Sequence, residues 1–150
     1  MGVKFNEVNF SKLFNTMRRC CLSENACGTC ANENCLVGYG EESIRGCMIN
    51  KRTYVQGGFE NLPLSDTKIY DTDELITGIV EILKTCKSCS EEHYEDCIVN
   101  VLRGCYEVSL LGEEQNYPGS TFIYFNNIKK VNPIMAQRLF DAYHAKEDRE

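Results

Sequence analysis

Cysteine is the residue type with the clearest chemistry in this chain, and the cysteines are unevenly distributed along the sequence. The sequence holds 10 cysteines in 150 residues. Thiolates that converge on one point bind zinc or iron–sulfur clusters, because soft sulfur ligands favour these metals. The first group, centred on the run Cys27-x2-Cys30-x4-Cys35, is Cys20, Cys21, Cys27, Cys30, Cys35 and Cys47, and the second is Cys86, Cys89, Cys97 and Cys105.

Composition favours metal binding by these thiols over disulfide formation. The first residues carry no apolar run typical of a signal peptide. No stretch approaches the roughly 18 apolar residues of a membrane span. Because cytoplasmic proteins keep their thiols reduced, we predict a cytoplasmic protein with metal-bound cysteines and no membrane contact. Disulfides and unreactive core thiols are the alternatives.

The charge of the chain argues against nucleic-acid binding. The net charge is −6 and the sequence pI is about 5.0, with the lysines and arginines dispersed. Phosphate neutralisation by basic side chains supplies most non-specific affinity for nucleic acids, so we disfavour this partner. The chain also lacks a P-loop, a dinucleotide fingerprint and an H-E-x-x-H motif. We therefore expect a protein partner rather than a stand-alone enzyme.

The first group fits an iron–sulfur site in which one loop supplies three ligands and a fourth comes from elsewhere. The three are Cys27, Cys30 and Cys35, and Cys21 is favoured over Cys20 as the fourth. A four-thiolate zinc site is commonly built from two C-x2-C pairs, and this part of the chain has one such pair and no histidine. We predict an iron–sulfur cluster, with 4Fe–4S as the type considered and zinc as the alternative. The spacing matches neither the bacterial nor the plant ferredoxin pattern, so it identifies no family.

The second group predicts a separate site with ligand spacing Cys86-x2-Cys89-x3-His93-x3-Cys97. On a helix that begins near Ser90, His93 and Cys97 are four residues apart and share a face. Three cysteines and one histidine make a common structural zinc site.

Other interpretations of the second group stay open. Cys86 and Cys89 fit a redox-active dithiol, because a helix N-terminus lowers the pKa of a thiol. They also fit a single four-thiolate site shared with Cys27 and Cys30. Cys105 lies in an apolar helical stripe, which favours core packing.

The sequence predicts three kinds of element around the first cysteine group. Apolar spacing predicts a helix from Asn9 to Cys21, with Asn9 as its N-cap. Residues 22–47 show no sustained periodicity and contain several glycines, which predicts a loop region. Beyond it, Met48-Ile49 and Thr53–Val55 have the composition of a short hairpin.

The second half predicts a small helical bundle. Asp71 begins one helix, and a second runs from near Ser90 to Leu111 and stops at Gly112. Residues 121–125 fit either a strand or a helix capped by Ser120. Asn132 and Pro133 begin the last helix. The expected fold is mainly α, with a cysteine-rich, loop-dominated metal-binding lobe over residues 1–70 and a helical bundle over residues 71–150, forming one compact unit.

These patterns together predict a cytoplasmic iron–sulfur protein. Its expected role is electron transfer, or redox or cluster-linked support of a larger enzyme. One alternative is a zinc-stabilised module for protein–protein interaction without catalysis. The other is a thiol-redox protein that uses Cys86 and Cys89.

Overall fold

Six helices contain most of the residues that the structure describes. The computed structural model describes residues 8–20, 35–64, 70–88, 96–115 and 120–148. The expectation of a mainly α, bundle-like fold is confirmed in these ranges, where no helix is long and apolar enough to cross a membrane. The helices are α1 (Phe10–Arg19), α2 (Leu36–Asn50), α3 (Thr72–Ser88), α4 (Ile98–Leu111), α5 (Thr121–Val131) and α6 (Pro133–Asp148).

Helix α4 lies at the centre of the core. Every residue from 98 to 108 is buried. Helices α2 and α3 pack against α4, α1 packs against α2 and α3, and the α5–α6 pair contacts α3 through α6. A helix that is buried on all sides must satisfy its polar side chains internally, and α4 carries three of them, Asn100, Arg103 and Glu107.

The helix ends follow the side-chain caps that the sequence predicts. The side-chain oxygens of Asn9, Asp71, Ser120 and Asn132 each accept the backbone N–H three residues later, at 3.1–3.4 Å. Such bonds satisfy amides that have no partner within the helix. Ser120 thus settles residues 121–125 as helix, and α4 stops before Gly112, whose φ of 89° is left-handed.

Helix α2 corrects the prediction of a loop through residue 47. Residues 36–50 are helical, including Met48 and Ile49, which were expected to be part of a strand. One of the glycines that suggested a loop, Gly40, has a packing role instead. At Gly40 a Cβ would lie 2.5 Å from Met17 Cε, so the missing side chain lets α1 approach α2 closely. The lobe before residue 70 is therefore not loop-dominated over residues 36–50.

The start of α4 is also different from the prediction. It begins at Ile98 rather than near Ser90, because the preceding residues pair with the chain at 53–55. Tyr54 and Cys97 form an isolated antiparallel bridge. The Val55 N–H donates to the Asp96 carbonyl and the Ile98 N–H donates to the Thr53 carbonyl, both at 2.8 Å. This pairing replaces the expected hairpin.

The side chain of Asp96 fixes the segment that follows this bridge. Its carboxylate accepts the N–H of Gly57 at 2.9 Å and the N–H of Phe59 at 3.3 Å. Residues 57–62 are thereby held across α4, where a Cβ at Gly104 would meet Leu62 at 2.7 Å. Buried residues before and after position 70 belong to one core. The division into domains at residue 70 stays a prediction.

Candidate functional site

Residues 70 and 71 connect the end of α1 to the start of α2. The Asp71 N–H donates to the Cys20 carbonyl at 2.8 Å. The neighbouring Tyr70 hydroxyl shares a hydrogen bond with Cys35 Sγ, at 3.1 Å. Cys20 and Cys35 flank the segment 21–34, which contains Cys21, Cys27 and Cys30 and lies outside the described residues. Both ends of the cysteine-rich segment are therefore tied to the same dipeptide.

Cys35 occupies the N-cap position of α2. Its Sγ accepts the N–H of Gly38 at 3.4 Å, as a serine or aspartate oxygen would. The residue is 3% exposed. The Gly38 N–H therefore points at this sulfur from the first turn of α2, and the Tyr70 hydroxyl lies within hydrogen-bond distance of it.

Cys20 has a different environment at the end of α1. It is buried, and its Sγ donates to the Thr16 carbonyl at 3.5 Å, one helical turn back. The choice of Cys21 over Cys20 as the fourth ligand stays a prediction, because Cys21 lies outside the described residues.

Tyr106 places a polar atom in the core near Cys20. The residue is 1% exposed, and its hydroxyl has no hydrogen-bond partner among the described residues. Burial raises the pKa of Tyr106 well above its usual value, and the neighbouring Cys20 thiol adds to this effect. Its ring fills the space above Gly78, where a Cβ would lie 2.3 Å from the ring atoms. Polar groups with no partner in a core are uncommon and are often associated with a special role.

Cys47 and Cys105 are held as neutral thiols. Burial raises the pKa of Cys47 to about 11, and its Sγ donates to the Tyr54 carbonyl at 3.6 Å. Burial also raises the pKa of Cys105, which is 1% exposed, so the prediction of core packing for this residue is confirmed. Both side chains serve as small apolar groups rather than nucleophiles.

The second group is described only in part. Cys86 lies in the last turn of α3, whereas Cys89 and His93 lie outside the described residues. Cys97 is buried at the N-cap position of α4, and its side chain makes no capping hydrogen bond there. Cys97 thus lies just before α4 rather than within it, and the predicted helix face shared with His93 involves a residue outside the described part of the chain. The site itself stays a prediction.

A buried polar network in the centre of the bundle has no counterpart in the sequence-based predictions. Arg103 Nη1 lies 2.7 Å from Glu107 Oε2 and donates to the Gln115 carbonyl at 2.7 Å. Tyr124 of α5 donates to the same Glu107 oxygen. The spacing of Arg103 and Glu107, four residues apart within an apolar stripe, is the signal that could have indicated it. The network ties α4 to α5 and to the chain at residue 115.

The described residues do not complete a metal site by themselves. Across residues 8–20, 35–64, 70–88, 96–115 and 120–148, no three cysteine, histidine, aspartate or glutamate side chains form a metal-binding group. Of the four favoured ligands, Cys35 is the one that the structure describes.

Comparison with protein-family models, with curated proteins and with solved structures gives no match to the chain.

Proposed function

We propose that this chain is a cytoplasmic, cysteine-ligated iron–sulfur protein. Its ligands are Cys21, Cys27, Cys30 and Cys35, with Cys20 as the alternative fourth ligand. The observation that carries the proposal is the thiol of Cys35, which ends the C-x2-C-x4-C run in a buried, hydrogen-bonded position. The cluster type considered is 4Fe–4S.

The surroundings of Cys35 match what a ligating thiolate requires. A metal-bound sulfur carries negative charge, and hydrogen bonds to that sulfur stabilise the bound state. Cys35 has an N–H contact at 3.4 Å and a hydroxyl contact at 3.1 Å. Cys47 is buried without such donors, and burial raises its pKa to about 11. The surroundings of Cys35 thus suit a metal ligand, whereas those of Cys47 suit packing.

The tie between the two ends of segment 21–34 supports the same proposal. Holding Cys20 and Cys35 at one dipeptide lowers the entropic cost of assembling ligands from this segment. Residues 22–34 contain few large apolar side chains, so metal binding would supply free energy that apolar burial does not. We expect metal removal to expose the amides of this segment to hydrogen exchange while the helices keep their protection.

A protein partner is part of the proposal, because a small electron carrier exchanges its electron with another protein. Phe122 on α5 and Ile134 on α6 are 71% and 75% exposed. Large apolar side chains at such exposure are candidates for contact with a partner. The proposed role is one-electron transfer, or redox or cluster-linked support of a larger enzyme.

The test compares ligand variants with a packing variant after oxygen-free purification. Cys27→Ser, Cys30→Ser and Cys35→Ser should each lose most of the iron, the acid-labile sulfide and the visible absorption. Cys47→Ala is the matched control, since it removes a buried thiol that we assign to packing. This variant should keep the iron, the acid-labile sulfide and the visible absorption. Ligand variants that keep full iron and sulfide contradict the assignment. A colourless wild-type protein with stoichiometric zinc would instead support the zinc-stabilised interaction module.

A further inference from the structure

We propose that the outer face of α5 is a docking surface for an acidic segment of a partner protein, anchored by an apolar side chain. We define this face by five exposed residues of the helix, which are Phe122, Ile123, Asn126, Lys129 and Lys130. The inference rests on the protein partner in the proposed function and names the chemistry of that partner. It does not involve the metal.

The five side chains share one side of the helix. Phe122, Asn126 and Lys129 are separated by four and three residues, a spacing that aligns side chains along a helix. The opposite side carries Tyr124 and Ile128, which are fully buried, and α5 packs there against α6. The packing of α5 within this chain is therefore made by its inner side, and the outer face is left to solvent.

The outer face is apolar at the start of the helix. Phe122 is 71% exposed and Ile123 is 47% exposed. Val131 and Ile134, which lie on either side of the junction between α5 and α6, are 46% and 75% exposed. Single exposed apolar residues are ordinary on a protein surface, whereas several within a short region indicate an interaction site.

The charge of this region is opposite to that of the whole chain. The net charge is −6, yet all 22 acidic residues lie outside residues 115–140. This stretch carries three basic residues, Lys129, Lys130 and Arg138. Arg138 already pairs with Asp73, whereas neither lysine forms an ion pair with any residue that the structure describes. The helix dipole favours lysine in the last turn of α5, but it does not explain the absence of acidic residues from the rest of the stretch. The two lysines are thus available to carboxylates of a partner.

The number of available basic groups favours a protein over other acidic partners. Anionic lipid surfaces are recognised by clusters of about four to eight basic residues, and nucleic acids by many phosphate contacts. Two lysines are too few for either. A protein interface instead concentrates its binding energy in a few buried anchors with complementary charges around them. We assign the anchor role to Phe122 and the charge-pairing role to Lys129 and Lys130.

The test uses the full chain and an array of short synthetic peptides of random sequence. The bound peptides should be enriched in aspartate and glutamate close to a large apolar residue. For the best-bound peptide, Phe122→Ser should weaken affinity about tenfold or more, as truncation of an anchor does. Lys129→Gln combined with Lys130→Gln should also weaken binding and should reduce its dependence on salt.

Matched controls change the same residue types elsewhere on the surface. Ile49→Ser replaces a side chain that is 73% exposed at the end of α2. Lys12→Gln combined with Lys51→Gln removes two exposed positive charges. Both controls should keep the wild-type affinity for the peptide. Far-ultraviolet circular dichroism should show wild-type helix content in every variant, because each replaced side chain is exposed.

Several results would overturn this inference. They are a bound set without acidic enrichment, an array that binds nothing, and an affinity that Phe122→Ser does not change. Sedimentation with phosphatidylserine vesicles that requires Lys129 and Lys130 would assign the face to a lipid surface instead. A wild-type dimer that Phe122→Ser dissociates would assign it to a second copy of this chain.

The iron content of the same preparation separates this inference from the proposed function. A chain without iron that selects acidic peptides contradicts the iron–sulfur proposal and supports the docking surface. A chain with iron that selects none overturns the docking surface alone.

Discussion

Replacing Arg103 with methionine should strongly destabilise this fold. Arg103 is 1% exposed, and among the described residues its guanidinium donates to Asn100, Glu107 and the Gln115 carbonyl. It donates to Asn100 Oδ1 from Nε at 3.1 Å, and its Nη1 reaches both Glu107 Oε2 and the Gln115 carbonyl at 2.7 Å. Methionine would fill much of the same volume without any donor. The substitution therefore isolates the polar function of the side chain.

The size of the destabilisation caused by Arg103→Met depends on the Glu107 carboxylate. It is fully buried and also accepts the Gln115 N–H at 2.8 Å and the Tyr124 hydroxyl. Removing one member of a buried ion pair costs about 3–5 kcal/mol, because the other charge loses its counter-ion. This loss is comparable to much of the total stability of a small domain, which is roughly 5–15 kcal/mol.

The loss should also depend on pH. Burial raises the pKa of Glu107, and the Arg103 guanidinium opposes this rise. Without Arg103 the folded-state pKa of Glu107 moves further above its unfolded value of about 4.3. A carboxyl group whose pKa is raised by folding makes stability fall as pH rises through that interval. The cost of Arg103→Met should therefore be larger at about pH 7.5 than at about pH 5.

Urea unfolding followed by far-ultraviolet circular dichroism measures this cost. Arg45→Met is the control, because the Arg45–Glu42 pair is half-exposed and should contribute at most about 1 kcal/mol. Adding Glu107→Gln to Arg103→Met should recover part of the lost stability at the higher pH, since no buried charge remains. The reasoning is refuted if Arg103→Met costs no more than Arg45→Met, or if its cost is equal at both pH values.

The packing of the core leads to three further predictions, which concern two substitutions and the reactivity of one thiol. Gly78→Ala should cost about 1–3 kcal/mol in thermal unfolding, because its Cβ would lie 2.3 Å from the Tyr106 ring; an unchanged midpoint contradicts this packing. Tyr106→Phe should leave stability unchanged or raise it by about 1 kcal/mol, since the removed hydroxyl has no partner among the described residues; a clear loss contradicts this. In metal-free protein, alkylation of Cys47 followed by mass spectrometry should accelerate about tenfold per pH unit between about pH 8 and pH 10, because its thiol has a pKa of about 11; a plateau in that range contradicts the raised value.

The helices that begin with a side-chain cap could be predicted from the sequence. Asn9, Asp71 and Asn132 are local signals, and each cap acts within three residues of its own position. Helix α2 was missed because glycine is ambiguous in a single sequence. Gly40 favours a loop by composition, yet it lies within helix α2, where its missing Cβ leaves room for the Met17 side chain. The start of α4 was missed for a similar reason, since backbone pairing with Tyr54 is a long-range contact.

In the candidate site, too, some features could be predicted from local sequence and others depend on contacts between distant residues. The C-x2-C-x4-C spacing identified Cys35 as a ligand candidate from local sequence alone. Its hydrogen bond with Tyr70 joins residues that are 35 positions apart, and no periodicity connects them. The burial of Arg103 and Glu107 likewise depends on Tyr124, which approaches from another helix. Local spacing thus indicates candidate residues, whereas the contacts around them depend on the tertiary structure.

The most direct test of the central claim is the metal and sulfide content of the wild-type chain after oxygen-free purification. The account predicts iron and acid-labile sulfide in comparable amounts, with visible absorption that bleaches on reduction. A colourless protein with no iron or sulfide, whether it binds zinc or no metal, would contradict it.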